Sequence, residues 1–459
     1  MSVADALSHY DAHRARHYED LKTLVRIPSV SFDGFPPAEV VRSAEAVATL
    51  LRSRGLENVK LLTLPGAHPY VYGDWLHAPG RPTILLYAHH DVQPPGDASL
   101  WKSPPFEPTE RSDGRIYGRG IADDKAGIVA HTAAISSWLG AVGALPLNVK
   151  VIIEGEEECG SSHLEEFLKG HRELLQADVM VLADAGNVDT GLPTLTISLR
   201  GLCLVEVEVR SLDHALHSGM WGGPVPDPVA ALSKMIASLH DASGRIAVPG
   251  MYDRVRPMTE AEKADLDRLG VTEELFRKQT QMVPGAQILG EGNPYATIWR
   301  QPSLTINAMQ ASSREQARNI VCDSAWARIT VRLVPDQRPK EIQENLIAHL
   351  RRQIPWGVQA DIRPGGAESW WMTEPGGPVF EKARRAFSAG YGKETVFVGC
   401  GGSIPFVGPF SEALGGAPAL LIGVEDPYTN AHGENESLSP VDFDGAVRSS
   451  IRLFHELAA

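Results

Sequence analysis

Residues 83–91 read TILLYAHHD, an apolar run that stops at two histidines and an aspartate. Such a short, almost uninterrupted run fits a strand covered on both faces, as in a parallel sheet. The pattern recurs downstream. LNVKVII (147–153) ends at Glu154, and VMVL (179–182) ends just before Asp184. Helical patterns separate these runs over the first ~200 residues, so the alternation predicts an α/β layer architecture. Each predicted strand delivers polar side chains at its C-terminal end, where open α/β sheets usually place their sites.

From residue 200 the periodicity changes. Val205, Val207 and Val209 alternate with Glu206, Glu208 and Arg210, which predicts a half-buried strand. Val229, Leu232, Met235, Ile236 and Leu239 then line one helix face. Residues 304–309 read as a strand, and Ala327, Ile329, Val331 and Leu333 alternate with Arg328, Thr330 and Arg332. Ile342, Leu346, Ile347 and Leu350 form another helical stripe, and 358–362 closes the set. The order β-α-β-β-α-β is the split βαβ pattern of a ferredoxin-like domain. The Gly/Pro-rich segment 364–378 leads back to α/β material, which ends in a helix around 441–457. The expected organisation is therefore a domain formed by 1–199 and 373–459, with a smaller α+β domain, 200–372, inserted into it.

Composition narrows the function classes. The chain has 459 residues, 43% of them hydrophobic and 22% charged, which describes an ordinary soluble protein. A formal net charge of -14 argues against nucleic acid and anionic membranes as partners. No apolar stretch approaches the ~18 residues of a membrane span. Residues 1–24 read as an amphipathic helix, because Asp5, Asp11, Arg14, Arg16, Glu19 and Asp20 interrupt any signal-like apolar core. Cys159, Cys203, Cys322 and Cys400 are widely spaced without a CxxC pair, so a reducing cytoplasm is the expected location.

The chemistry lies in the polar clusters. His89 and Asp91 are two apart and point the same way on an extended chain. GRGIADDK (118–125) supplies paired carboxylates, EGEEECGS (154–161) supplies more, then come Asp184 and, much later, Ala431-His432. Taken singly, an HxD pair is ordinary loop polarity and a glutamate run is a solvated helix start. The Gly118-Arg119-Gly120 turn lacks the Gly-Lys-Ser/Thr ending of a phosphate loop. Together the clusters resist that reading: buried carboxylates repel one another and are costly to desolvate unless divalent cations compensate them.

YAHHDVQP (87–94), GRGIADDK, EGEEECGS, LHSG (216–219), GGSIP (401–405) and Ala431-His432 occur in this order over nearly the whole chain. In that respect the chain resembles the co-catalytic di-zinc family of carnosine and cytosolic non-specific dipeptidases, glutamate carboxypeptidase and acetylornithine deacetylase. The DVQP ending resembles the dipeptidase branch. The resemblance implies a zinc-exopeptidase-like catalytic domain with an inserted lid and dimerisation domain. It implies two divalent ions, Zn²⁺ first and Mn²⁺ or Co²⁺ as substitutes, consistent with His and carboxylate ligands. His89 and Asp184 would hold one ion, Glu158 and His432 the other, and Asp123 would bridge them through a cis peptide to Asp124. Asp91 would orient His89 through its free ring nitrogen. Glu157 would be the general base for a metal-bridging water, then return the proton to the leaving amine. His217 would stabilise the oxyanion from a partner subunit, while Asn319, Arg332, Gly402 and Ser403 would hold the substrate. Arg332 suits a free carboxylate. A homodimer through the inserted domain follows from the same resemblance, with closure completing each site.

Some positions depart from the family pattern. Ala88 stands where a glycine is usual, and Gly399-Cys400 stands where dipeptidase relatives often carry a charge. Cys400 has no motif that pairs it with a base and reads as a small wall residue. Trp221, Trp370 and Trp371 are either packing or pocket residues. The leading expectation is a metallopeptidase that cleaves dipeptides or similar small peptide-like substrates with a free carboxylate. The alternatives are an N-acyl-amino-acid amidohydrolase of the same family and a non-catalytic binding member; the intact ligand set with Glu157 argues against the second.

Overall fold

The computed structural model describes residues 2–404 and 406–459, so Pro405, the last residue of the GGSIP block, lies outside the described residues. The chain divides into two compact units. One comprises Met1–Ile197, Thr373–Val398 and Pro405–Ala459; the other comprises Ser198–Met372 and Gly399–Ile404.

The first unit is built on a mixed sheet. Its centre is four parallel strands: Asn148–Glu154 beside Thr83–His89, then Val179–Gly186, then Ala419–Glu425. Antiparallel strands flank them, Tyr70–Trp75 on one side and Thr194–Leu199 on the other. The parallel strands are apolar on both faces because both faces are covered. Ile84, Leu86 and Ala88 belong to a core shared with Val129, Ala133 and Trp138 of helix Lys125–Val142 and with Ile451 of helix Pro440–Ala458. The buried Trp138 indole also donates to Ile451 O at 3.0 Å, which satisfies its one polar atom. On the opposite side of the strand, Tyr87 stacks on Phe406 with ring centroids 3.7 Å apart, and Phe406 stacks on Phe410.

Parallel pairing has a functional consequence, because all four C-termini end on one edge. The register sets His89 opposite Glu154, and Asp184 lies near the end of the next strand. Helix Lys125–Val142 starts at the same edge. Its N-cap is Asp124, whose Oδ1 accepts from Gly127 N at 3.2 Å. Among the described residues, no helix is long and apolar enough to cross a membrane.

The second unit carries a four-stranded antiparallel sheet in the order Ser303–Gln310, Ser324–Leu333, Gly201–Arg210, Gln359–Glu368. Cys203, Val205, Val207 and Val209 are buried against Leu232 and Met235 of helix Pro228–Ala237 and Leu346 and Leu350 of helix Pro339–Arg352. The alternate residues Glu206, Glu208 and Arg210 stay half-exposed, and Arg328 pairs with Glu206 at 2.6 Å. Three further helices, Glu260–Leu269, Glu273–Thr280 and Pro294–Arg300, stand between helix Pro228–Ala237 and strand Ser303–Gln310. The sequence reading assigned no elements there.

Candidate metal centre

At the strand edge of the first unit, His89 is fully buried at the end of its strand. Its Nε2 lies 3.0 Å from Asp123 Oδ1 and 3.9 Å from Asp184 Oδ1. Its other nitrogen, Nδ1, lies 3.4 Å from Asp91 Oδ1. On the other side of Asp123, His432 Nε2 lies 3.0 Å from Oδ2 and 3.3 Å from Glu158 Oε2. Asp123 thus offers one oxygen to each histidine. Two groups have ligand atoms within 4.8 Å of one another: His89, Asp124 and Asp184, and Asp123, Glu158 and His432.

Backbone contacts set this geometry. The Asp123–Asp124 peptide is cis, and the two carboxylates differ in partners. Asp124 accepts from His89 N and from Gly127 N, both at 3.2 Å, so it is tied to the strand end and the helix cap. Asp123 has no such backbone claim on its oxygens. Behind it, the buried Glu436 accepts from Arg119 Nη1 at 2.8 Å and from the backbone nitrogens of Gly120, Ala122 and Asp123 at 2.9, 3.1 and 3.2 Å. The loop before the helix is therefore wrapped around one carboxylate. His432 holds a left-handed backbone, φ 64°, in a turn where Gly433 N donates to Asn430 O.

Asp91 reaches further than His89. Its oxygens accept from Glu157 N at 3.2 Å and Glu158 N at 3.0 Å, and Ser31 Oγ donates to Oδ2 at 2.7 Å. One buried aspartate therefore fixes a histidine ring and the backbone of two glutamates. Gln93 holds the Glu158 carboxylate through its backbone and side-chain nitrogens. Ser31, Gln93 and Glu436 carry no signal that the sequence reading used, and Asp124 was expected only as one of a carboxylate pair, with no ligand role. Only Gln93 and Asp124 sit inside a quoted motif.

The electrostatics call for positive charge. Burial, together with the neighbouring carboxylates, pushes Asp184, Asp124 and Glu157 well above the usual carboxylate range, against the opposing pull of His89. Hydrogen bonds that His432 donates to the Asp123 and Glu158 carboxylates raise it to about 11. Asp123 resists burial and stays low because both histidines hydrogen-bond to it. Imidazole and carboxylate donors without a thiolate are the set that divalent cations such as Zn²⁺ accept. The residues fit such a cation. The Glu157 carboxylate makes no hydrogen bond to another described residue, although its backbone is fixed. Cys159, two residues on, is exposed, its Sγ donates to Glu156 O at 3.4 Å, and it belongs to neither ligand group.

The remaining candidates lie in the second unit, in two places. Strand Leu216–His217 pairs with Ile320–Val321, and Ser218 N donates to Asn319 O at 3.1 Å, so His217 and Asn319 are neighbours. Gly219 N donates to His217 Nδ1 at 3.1 Å. Elsewhere, Arg332 Nη1 donates to Ser403 Oγ at 2.8 Å, and Ser403 Oγ donates to Arg200 O at 2.6 Å. Gly402 O accepts from Arg200 N at 2.9 Å. Segment Gly399–Ile404 groups with this unit through these bonds. Trp370 donates its indole N–H to Gln337 O, whereas Trp221 is 51% exposed.

Residues 85–458 match peptidase family M20/M25/M40. A cysteinylglycine-S-conjugate dipeptidase of Corynebacterium striatum is 32% identical over 96% of this chain and 91% of its own length. A beta-Ala-His dipeptidase of Rattus norvegicus is 29% identical over 98% of this chain and 94% of its own. Among solved structures, human carnosine dipeptidase 1 superposes with a TM-score of 0.88 at 26% identity, covering 100% of this chain and 99% of that one. The dipeptidase Dug1p of Saccharomyces cerevisiae shares the fold, with a TM-score of 0.89 at 24% identity over 100% and 98% of the two chains.

Proposed function

The chain belongs to peptidase family M20/M25/M40, and from that premise we propose that it is a metal-dependent dipeptidase. The observation that carries the proposal is Asp123 set between His89 and His432, with the unbonded Glu157 carboxylate close enough to feel the charges of Asp123, Asp184 and Glu158. His89 and Asp184 would hold one divalent ion, Glu158 and His432 a second, and Asp123 both; Zn²⁺ is the first choice and Mn²⁺ or Co²⁺ are substitutes. Bound there, the ions supply Lewis acidity and lower the pKa of water towards ~7.

The protein's own residues do the rest. Glu157 takes the proton of the attacking water and passes it to the leaving amine, a role open to it because no described residue occupies its carboxylate. Asp91 fixes the His89 ring and the Glu157 backbone together. Arg332, held by Ser403, binds the substrate's free carboxylate, with Gly402 next to Ser403 and Asn319, beside His217, as further substrate contacts. His217 donates from Nε2 to the developing oxyanion, since Nδ1 already accepts from Gly219 N. The family's architecture, a zinc-exopeptidase-like domain with a ferredoxin-like lid that also pairs two subunits, is part of this proposal. The dipeptidase names of the relatives favour peptides over N-acyl amino acids as substrates.

The test is amine release from a panel of dipeptides and N-acyl amino acids by protein loaded with Zn²⁺ or Mn²⁺. Chelator-sensitive cleavage of dipeptides is expected. Cleavage of the acylated compounds alone would overturn the substrate assignment, and no cleavage by metal-loaded protein would overturn the catalytic one.

A further inference from the structure

A second polar cluster lies in the first unit at the other end of helix Lys125–Val142. His9, His13, Arg16 and His17 from helix Val3–Val25, Arg54 from the end of the next helix, and Gly140 line a cleft of about 300 Å³. Gly140 is sixteen residues beyond the Asp124 cap, so at 1.5 Å per residue the cleft lies roughly 24 Å along the helix from the metal centre. The three histidines recur every four residues and share one helix face.

Two of these side chains are buried without full hydrogen bonding. The side chains of His17 and Arg54 are each 2% exposed. Among the described residues, neither ring nitrogen of His17 has a hydrogen-bond partner, nor do Arg54 Nε and Nη1. Arg54 Nη2 pairs with Asp20, whose carboxylate is 3.9 Å from His17 Nδ1, beyond hydrogen-bond reach. Buried polar groups are nearly always satisfied, so unmatched donors facing one cleft ask for an acceptor. No carboxylate lines the cleft among the described residues. Burial first, then the charges of Arg54 and Arg16, hold His17 down to about 4, which marks the local potential as positive in a chain whose net charge is -14. Ser53 adds a hydroxyl at the rim.

We propose that this cleft binds a small tetrahedral oxyanion, either free phosphate or the phosphate of a small metabolite, through Arg54, Arg16 and His17. A guanidinium with two unpaired nitrogens, Nε and Nη1, is suited to paired anion oxygens.

Isothermal titration of inorganic phosphate into the full-length, metal-loaded protein tests the proposal, with glycerol phosphate in parallel. Phosphate can also meet the metal centre, so His89→Ala is the control. Arg16 is exposed, and Arg16→Ala is expected to keep the fold while weakening phosphate binding about tenfold, the loss of roughly one good charged contact. Arg54→Gln is expected to weaken it further; should that variant fail to fold, Arg16→Ala still decides. Binding that survives His89→Ala and falls in Arg16→Ala upholds the site, and the tighter of the two probes identifies the ligand as free anion or monoester. Binding unchanged in Arg16→Ala, lost only in His89→Ala, or absent from wild type overturns it.

Discussion

Gln93 holds Glu158 by both carboxylate oxygens: its backbone nitrogen lies 3.1 Å from Oε1 and its side-chain Nε2 lies 2.8 Å from Oε2. In the proposed metal site, this restraint would hold the carboxylate ready for a divalent ion. Gln93→Ala removes the side-chain donor and leaves the backbone one. Metal affinity is expected to fall about 10- to 100-fold, the usual range for removing a group that supports a ligand. Competition against a chromogenic chelator measures it, and an unchanged affinity would show that Glu158 needs no such support.

Glu157 is the contrasting case, a carboxylate with a fixed backbone and a side chain that bonds to no described residue. A general base must stay free of other commitments. Glu157→Ala is expected to retain wild-type metal content and to lose about 10²- to 10⁴-fold in kcat. Metal content by atomic absorption, with kcat from amine release, separates the two roles. Full metal binding with wild-type turnover would remove Glu157 from the mechanism.

The strand edge was legible because sheet physics writes it plainly. A strand covered on both faces must be apolar along its length, so 83–88 and 147–153 announce themselves, and their polar ends mark the edge. Helices Glu260–Leu269 and Glu273–Thr280 were not legible. The second has no buried residue and the first has three, so neither carries an apolar stripe. Their caps were the available signal: Thr259 and Glu262 form a capping box, and Thr272 caps the next helix. At the site, Asp123, Glu158 and His432 sit on loops, where spacing carries no geometry; their motifs stood out as polar clusters, and only the family resemblance gave each residue a role. Glu436 was hidden for a stronger reason. It is 313 residues from Asp123, whose backbone it holds, and no local pattern encodes a contact of that range.

Arg332 is anchored at one nitrogen by Ser403 Oγ, which leaves the rest of its fork for a ligand. Arg332→Met is expected to raise KM for a dipeptide about 10- to 100-fold, the loss of one charge-assisted pair, with kcat less affected. Arg332→Lys should recover only part, because an ammonium lacks the planar fork. The decisive comparison is a dipeptide against its C-terminal amide. Wild type should prefer the acid and Arg332→Met should not. Equal losses on both substrates would make Arg332 a structural residue.

Asp442 provides a pH test away from the metal centre. Its Oδ1 accepts from Asn187 Nδ2 and Gly191 N, both at 2.9 Å, and the whole side chain is buried. Burial raises its pKa from 3.8 to about 6. The folded state therefore binds more protons than the unfolded state between these values. Stability falls as pH rises through that window, and the full cost is present above about 6. Asp442→Asn keeps the acceptor and removes the charge. It is expected to gain about 3 kcal/mol at pH 7.5 and nothing near pH 3.5, read from urea melts at both values. An equal change at the two pH values would assign the effect to packing.

His217 bears on whether one chain suffices. It is exposed on a two-residue strand beside Asn319, and Met220 and Trp221, 73% and 51% exposed, follow it. Gly219 N occupies Nδ1, so the neutral ring carries its proton on Nε2 and can donate it to an oxyanion. In the proposed dimer that donation crosses to the partner's site. His217→Ala and Glu157→Ala homodimers should each be nearly inactive. Mixed and reassembled, the heterodimer pairs one intact Glu157 with the other chain's intact His217, so one site of two should recover. About half the wild-type rate per heterodimer is then expected, by the independence of distant sites. A heterodimer verified by mass that stays inactive would place His217 in its own chain's site, whereas a His217→Ala homodimer with wild-type kcat would place it outside the reaction.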